Sequence, residues 1–145
     1  MKRIPSTILA AAVSSALMFL ASPSFADTTI KVIESGEGGG AMTLTLEPTV
    51  VKAGTATFRV HNDAATEEHE MVVVKLKSAD EKIPFNEAKH RVNESKLKSM
   101  GEVSDLKPGA SGELKANLKA GTYLLFCNIR GHYEAGMAAK LVVAP

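Results

Sequence analysis

The chain has 145 residues, 45% hydrophobic and 23% charged, with a formal net charge of +1 at pH 7. That is enough apolar material for one packed core, and too little charge bias to hold nucleic acid or to keep the chain unfolded. A single cysteine excludes an intramolecular disulfide framework.

The N-terminus reads as an export signal. Lys2 and Arg3 form a basic start, Ile8 to Leu20 an apolar stretch, and Ser24-Phe25-Ala26 places small residues where a signal peptidase reads. This pattern predicts a secretory signal peptide over residues 1–26, cleaved after Ala26, and hence a periplasmic mature protein. The apolar stretch is shorter than the ~20 residues that span a bilayer. No second stretch of that length follows, so no membrane span is expected. Residues 27–145 then form one domain of nearly balanced charge.

Period-2 alternation dominates that domain. Thr28 to Glu34 is a short strand candidate, and Met42, Leu44 and Leu46 alternate with Thr43 and Thr45. Between the two, Gly36 to Gly40 reads as a flexible connector. Ala56, Phe58 and Val60 alternate with Thr55, Thr57 and Arg59. Met71 to Leu76 is continuously apolar, as central strands can be. Ser78 to Met100 breaks the rhythm: it is polar and mixed in charge, with Phe85, Ala88 and Val92 at rough helical spacing. A short helix is expected around Asn86 to Val92. Glu102 to Asp105, Ser111 to Leu118, Thr122 to Cys127 and Met137 to Val143 complete the strands. Turns at Lys52-Ala53-Gly54, Lys107-Pro108-Gly109 and Lys119-Ala120-Gly121 separate them. Seven to eight strands in this pattern predict an all-β, two-sheet antiparallel sandwich carrying one long excursion.

The chemistry concentrates in one loop. Cys127, His132 and Met137 follow one another with four residues in each gap, between two apolar strands. A lone cysteine in an exported chain is an intermolecular disulfide, a buried inert thiol or a metal thiolate. The imidazole and thioether beside it favour the metal. Thiolate, two imidazoles and a long weak thioether bond are the ligands of an electron-transfer copper site. The second imidazole must come from elsewhere in the fold. His69 shares strand phase with Met71 and Val73, as Cys127 does with Tyr123 and Leu125. If both faces point inward, the two meet at the edge of the core. His61 falls on the polar face with Thr57 and Arg59, and His90 lies between Lys89 and Arg91; both are expected in solvent.

With these residues in place, the chain resembles the cupredoxins, the small type 1 copper proteins. The resemblance rests on Gly121 to Cys127, on Gly131-His132-Tyr133-Glu134-Ala135-Gly136-Met137 through Val143, and on Gly54 to Asn62 leading to His69-Glu70-Met71. It implies a Greek-key β-sandwich with one copper ion, held equatorially by His69, Cys127 and His132 and axially by Met137. It also suggests that backbone N–H groups around Asn128 and Asn62 contact the thiolate. Many members carry Asn or Asp directly after the first histidine, where this chain has Glu70. The ligand spacing differs from that of plastocyanin and looks more like that of periplasmic cupredoxins linked to copper tolerance or acidophile respiration. The implied function is single-electron transfer between redox partner proteins that dock at the His132 edge, by a monomer that is not an enzyme. The alternative is copper binding for tolerance or delivery.

Overall fold

Alternation is the cause of the first layer. The computed structural model describes residues 27–145, so the expected signal peptide lies outside the described residues. Strands β1 (Thr28–Ser35), β2 (Thr43–Glu47), β4 (Gly54–Asn62) and β9 (Ser111–Leu118) form one sheet in the order β2-β1-β4-β9. Ile30 and Val32 of β1 and Phe58 and Val60 of β4 are buried on its inner face, while Lys31 and Arg59 are exposed on the other. The second sheet is β3-β11-β10-β5-β8, built from β3 (Val50–Lys52), β11 (Ala138–Ala144), β10 (Gly121–Phe126), β5 (His69–Lys75) and β8 (Lys98–Leu106). Met71, Val73, Tyr123, Leu125 and Leu141 of this sheet join the inner face of the first in one core. The β1–β4 and β3–β11 pairs are parallel and the others antiparallel, in a Greek-key sandwich. Tyr123 fixes one corner: its hydroxyl donates to the Lys119 carbonyl at 2.8 Å and accepts from the Lys119 N–H at 3.0 Å.

The continuously apolar runs have a separate reason. Val72, Val74, Leu124 and Phe126 point away from the main core and still are buried. The excursion between β5 and β8 folds over them, bringing Ile83, Phe85, Val92 and Leu97 onto the outer face of the second sheet. Strands β5 and β10 are therefore covered on both sides, which is why their sequences lose alternation.

The excursion holds no α-helix, contrary to the spacing of Phe85, Ala88 and Val92. It forms a hairpin of β6 (Phe85–Asn86) and β7 (Arg91–Val92), with Phe85 opposite Val92, then one 3-10 turn at Glu94–Lys96. Two physical causes act against the helix. The Asn86 side chain accepts the Lys89 N–H at 3.0 Å and so offers the backbone a turn instead. A cross-strand pair also sets Phe85 and Val92 side by side on a flat sheet face.

Candidate metal centre

The strand phases converge at one end of the sandwich. His69 opens β5, Cys127 follows the last residue of β10, and both are 0% exposed. His132 comes back to them on the loop before β11 and is 7% exposed. One side-chain donor atom from each lies within 4.8 Å of the others. The two Nδ1 atoms are 3.2 Å apart, and His132 Nδ1 is 3.4 Å from Cys127 Sγ. The rings meet edge to face, with centroids 5.1 Å apart at 71°.

The loop is tightly closed. Cys127 N–H donates to the Met137 carbonyl at 3.1 Å, and Met137 N–H to the His132 carbonyl at 3.1 Å. These bonds hold Met137, fully buried, opposite Cys127 at the re-entry to the sheet. Gly131 (φ +86°) and Gly136 (φ +105°) supply the left-handed backbone that the two turns require. At Gly136 space is restricted as well: a Cβ there would lie 3.0 Å from the Met42 carbonyl oxygen.

Burial sets the protonation states. It depresses the pKa of the His69 and His132 imidazoles, so both rings are neutral and keep a lone pair for a metal. Burial also pushes the Cys127 thiol up to about 12, against the backbone groups of Ile129 and Glu70, which favour the thiolate. The Glu70 N–H reaches Cys127 Sγ at 3.4 Å. The sulfur thus takes backbone contact from Glu70 and from Ile129, the neighbour of Asn128, in line with the contact around Asn128 that the family resemblance suggested; the Asn62 N–H donates instead to the Ala110 carbonyl at 2.9 Å. Asn62 has another task. Its Nδ2 donates to the Glu67 and Leu106 carbonyls, both at 2.8 Å, and its Oδ1 accepts the Ala64 N–H at 2.9 Å. It shapes the loop that enters His69. Glu70 links the two ligand segments through its backbone, whose N–H reaches from the start of β5 to the Cys127 sulfur.

Two features were not anticipated from sequence. Gly36 to Gly40 is not a loose connector. Glu37 accepts from the Ala65 and Thr66 N–H groups and the Thr66 hydroxyl, and Glu67 accepts the Gly38 N–H at 3.1 Å, so the two loops clamp each other. Glu34, 0% exposed on the inner face of β1, has no hydrogen-bond partner for either carboxylate oxygen among the described residues. When ionised, it opposes negative charge on the Cys127 sulfur. The phase of Ile30-Val32-Glu34 is the signal that would have placed it inside.

His61 and His90 sit outside the cluster. His61 lines an open cleft on the outer face of the first sheet, with Nδ1 2.8 Å from Ser111 Oγ. His90 pairs with Glu134 at 2.8 Å on the surface.

The donor set fits copper. Three donors about 2.0–2.3 Å from a central ion would be separated by roughly 3.5 Å in a trigonal plane, close to the two distances seen here. The His69 Nε2, on the far side of the ring, is buried without a partner among the described residues. Soft sulfur with two neutral imidazoles suits copper more than a hard cation.

Comparison with known proteins agrees. Residues 31–144 match the family model of copper binding proteins, plastocyanin/azurin family. Reduced auracyanin from Roseiflexus castenholzii superposes with a TM-score of 0.55 at 20% identity, covering 83% of this chain and all of that one. Auracyanin A from Chloroflexus aurantiacus, described as a "blue" copper protein, gives 0.51 at 25% identity, covering 80% of this chain and 99% of that one. Rusticyanin from Thiobacillus ferrooxidans gives 0.58 at 16% identity, covering 83% and 80%. No curated protein sequence matches the chain. The chain belongs to the plastocyanin/azurin family of copper binding proteins, a cupredoxin with His69, Cys127 and His132 positioned for a type 1 copper ion.

Proposed function

We propose that the protein carries single electrons between redox partners, with His69, Cys127 and His132 as equatorial copper ligands and Met137 as the axial one. The observation that carries this reading is the pre-formed convergence of two neutral imidazoles and one sulfur in a buried, hydrogen-bonded loop. Copper bound there would supply one-electron Cu(I)/Cu(II) exchange. The chain's own contribution is to hold the donors still. The Cys127–Met137 and Met137–His132 backbone bonds fix the loop, and the Glu70 N–H stabilises negative charge on the sulfur. Backbone positions that do not depend on the metal suit an ion that changes charge without changing neighbours.

His132 is the slightly exposed ligand of the three. Around it lie half-buried Ile129, Tyr133 and Ala135, with Arg130 exposed beside them. This edge is the proposed exit for the electron and the docking place of a partner. The protein is proposed to work as a monomer in the periplasm after removal of residues 1–26, with residues 27–145 as its one domain, and not as an enzyme. Among the described residues no helix is long and apolar enough to cross a membrane.

Two results test the assignment. His69→Ala is expected to abolish the type 1 visible and EPR spectrum, whereas His61→Ala leaves it unchanged; the reverse would place the ligand on the other strand. Arg130→Glu reverses a charge on the exposed rim without touching a donor. It is expected to change the rate of electron exchange with a charged partner several-fold, with the change shrinking as salt is added. An unchanged rate at low salt would move the docking edge away from His132.

A second reading, copper binding for tolerance or delivery, uses the same site. Met42, Met71, Met100 and Met137 are far apart in sequence and pack in or against the buried core rather than forming an exposed Met-rich surface, which favours the carrier. Copper-sensitive growth of a deletion strain, with normal respiration at ordinary copper, would favour tolerance.

A further inference from the structure

We propose that the excursion over residues 78–97 is a strap that sets the copper-ligand loop, and that Asn128 is the positioning residue through which it acts. The inference rests on the copper reading above for its purpose, but its contacts stand independently.

Asn128 directly follows Cys127 and is 4% exposed. A buried amide must spend its hydrogen-bonding groups on partners, and among the described residues every hydrogen-bond partner of the Asn128 side chain lies in the excursion. Its Oδ1 accepts the Val92 N–H at 2.7 Å. Its Nδ2 donates to the Val92 carbonyl at 3.0 Å and to Glu94 Oε1 at 2.6 Å. The side chain pairs with Val92 as a neighbouring strand would, so the residue next to the sulfur ligand is held from the outer layer.

The strap also grips the loop near its histidine. The Gly131 N–H donates to the His90 carbonyl at 2.9 Å. His90 presents that carbonyl from a left-handed backbone (φ +53°), uncommon for a residue other than glycine. Tyr133 packs into the outer core, stacked on Phe85 at 5.9 Å and edge-on to Phe126 at 5.8 Å. Residues 128, 131 and 133 are thus tied from outside, while Cys127, His132 and Met137 point inward. Inner and outer contacts fix the two faces of one short loop. Such a loop has little freedom left to lose when a metal binds, and little room to relax when the metal changes charge.

The test uses the full mature domain. In Asn128→Ala, amide hydrogen exchange at Gly131 and His132 in the copper-free protein is expected to quicken by about tenfold, the cost of losing a buried hydrogen bond. In the copper-loaded protein the EPR hyperfine splitting and the reduction potential are expected to shift. Leu118→Ala is the control: it removes buried packing in β9, opposite Gly54 and outside both the strap and the ligand loop, and should lower Tm while leaving exchange at Gly131 and the spectrum as they were. If Asn128→Ala fails to fold, Glu94→Ala removes a single bond and is read the same way, with a smaller shift expected. A lowered Tm with unchanged exchange, spectrum and potential would make Asn128 merely structural and overturn the proposal. If wild-type protein bound no copper while exchange still quickened in Asn128→Ala, the strap would stand and the copper reading would fall.

Discussion

Cys127→Ala is expected to remove the intense thiolate-to-copper absorption and to leave the sandwich folded. The structural cost is small. Cys127 contributes one sulfur to a core that also holds Phe58, Leu125 and Leu141, and the cavity left would cost on the order of 1 kcal/mol. The chemical cost is large. Loss of an outer partner of a ligand typically lowers metal affinity ~10- to 100-fold, and loss of the ligand itself should exceed that. A second signature separates thiolate ligation from mere packing. The buried thiol is held protonated, with its pKa pushed up to about 12, so copper must displace a proton to bind. Both imidazoles have depressed pKa values and so release no proton near neutrality. Wild-type affinity should therefore rise about tenfold per pH unit between pH 7 and 9, and Cys127→Ala should lose that slope. Colour that survives the substitution, or an equal slope in both proteins, would refute the thiolate assignment.

The sequence was most legible where one face of a strand meets water. Ile30-Val32, Phe58-Val60 and Met71-Val73 alternate, so their inner faces could be assigned, and with them the convergence of His69 and Cys127. It was also legible where chemistry is local, because Cys127, His132 and Met137 lie on one loop whose turns demand Gly131 and Gly136. It was least legible in residues 78–97. There the decisive contacts are long-range: Val92 to Asn128, and Phe85 to Tyr133. Neither residue of such a pair announces its partner, and the helical spacing of Phe85, Ala88 and Val92 was local coincidence overridden by tertiary packing. The carboxylate clamp between Glu37 and the Ala65–Thr66 backbone escaped for the same reason. A glycine-rich loop shows its freedom in sequence, but not what takes that freedom away. Glu34 was different, since its phase was visible and its meaning was not.

That residue carries the last prediction. Glu34 is fully buried, near the copper end and without a hydrogen-bond partner among the described residues, and burial, with a further push from the charge of Glu70, raises its pKa from 4.5 to about 8. In the unfolded chain the same carboxyl ionises near pH 4.5. Between these two values the folded copper-free protein binds a proton that the unfolded chain has released. Stability must then fall as pH rises. Below about pH 4.5 both states are protonated and Glu34 carries no such penalty. Above about pH 8 both are ionised, and the full penalty remains. At about 1.4 kcal/mol per pKa unit, the loss attributable to Glu34 is of the order of several kcal/mol across this window. Glu34→Gln removes the ionisation while keeping the side chain's shape. Urea unfolding of both copper-free proteins from pH 5 to pH 8 should show the wild type losing stability relative to the variant, with the gap widening steadily toward pH 8. Curves that run parallel would mean that Glu34 finds a partner, a water or a relaxed position that lets it ionise in the folded state at its ordinary pKa.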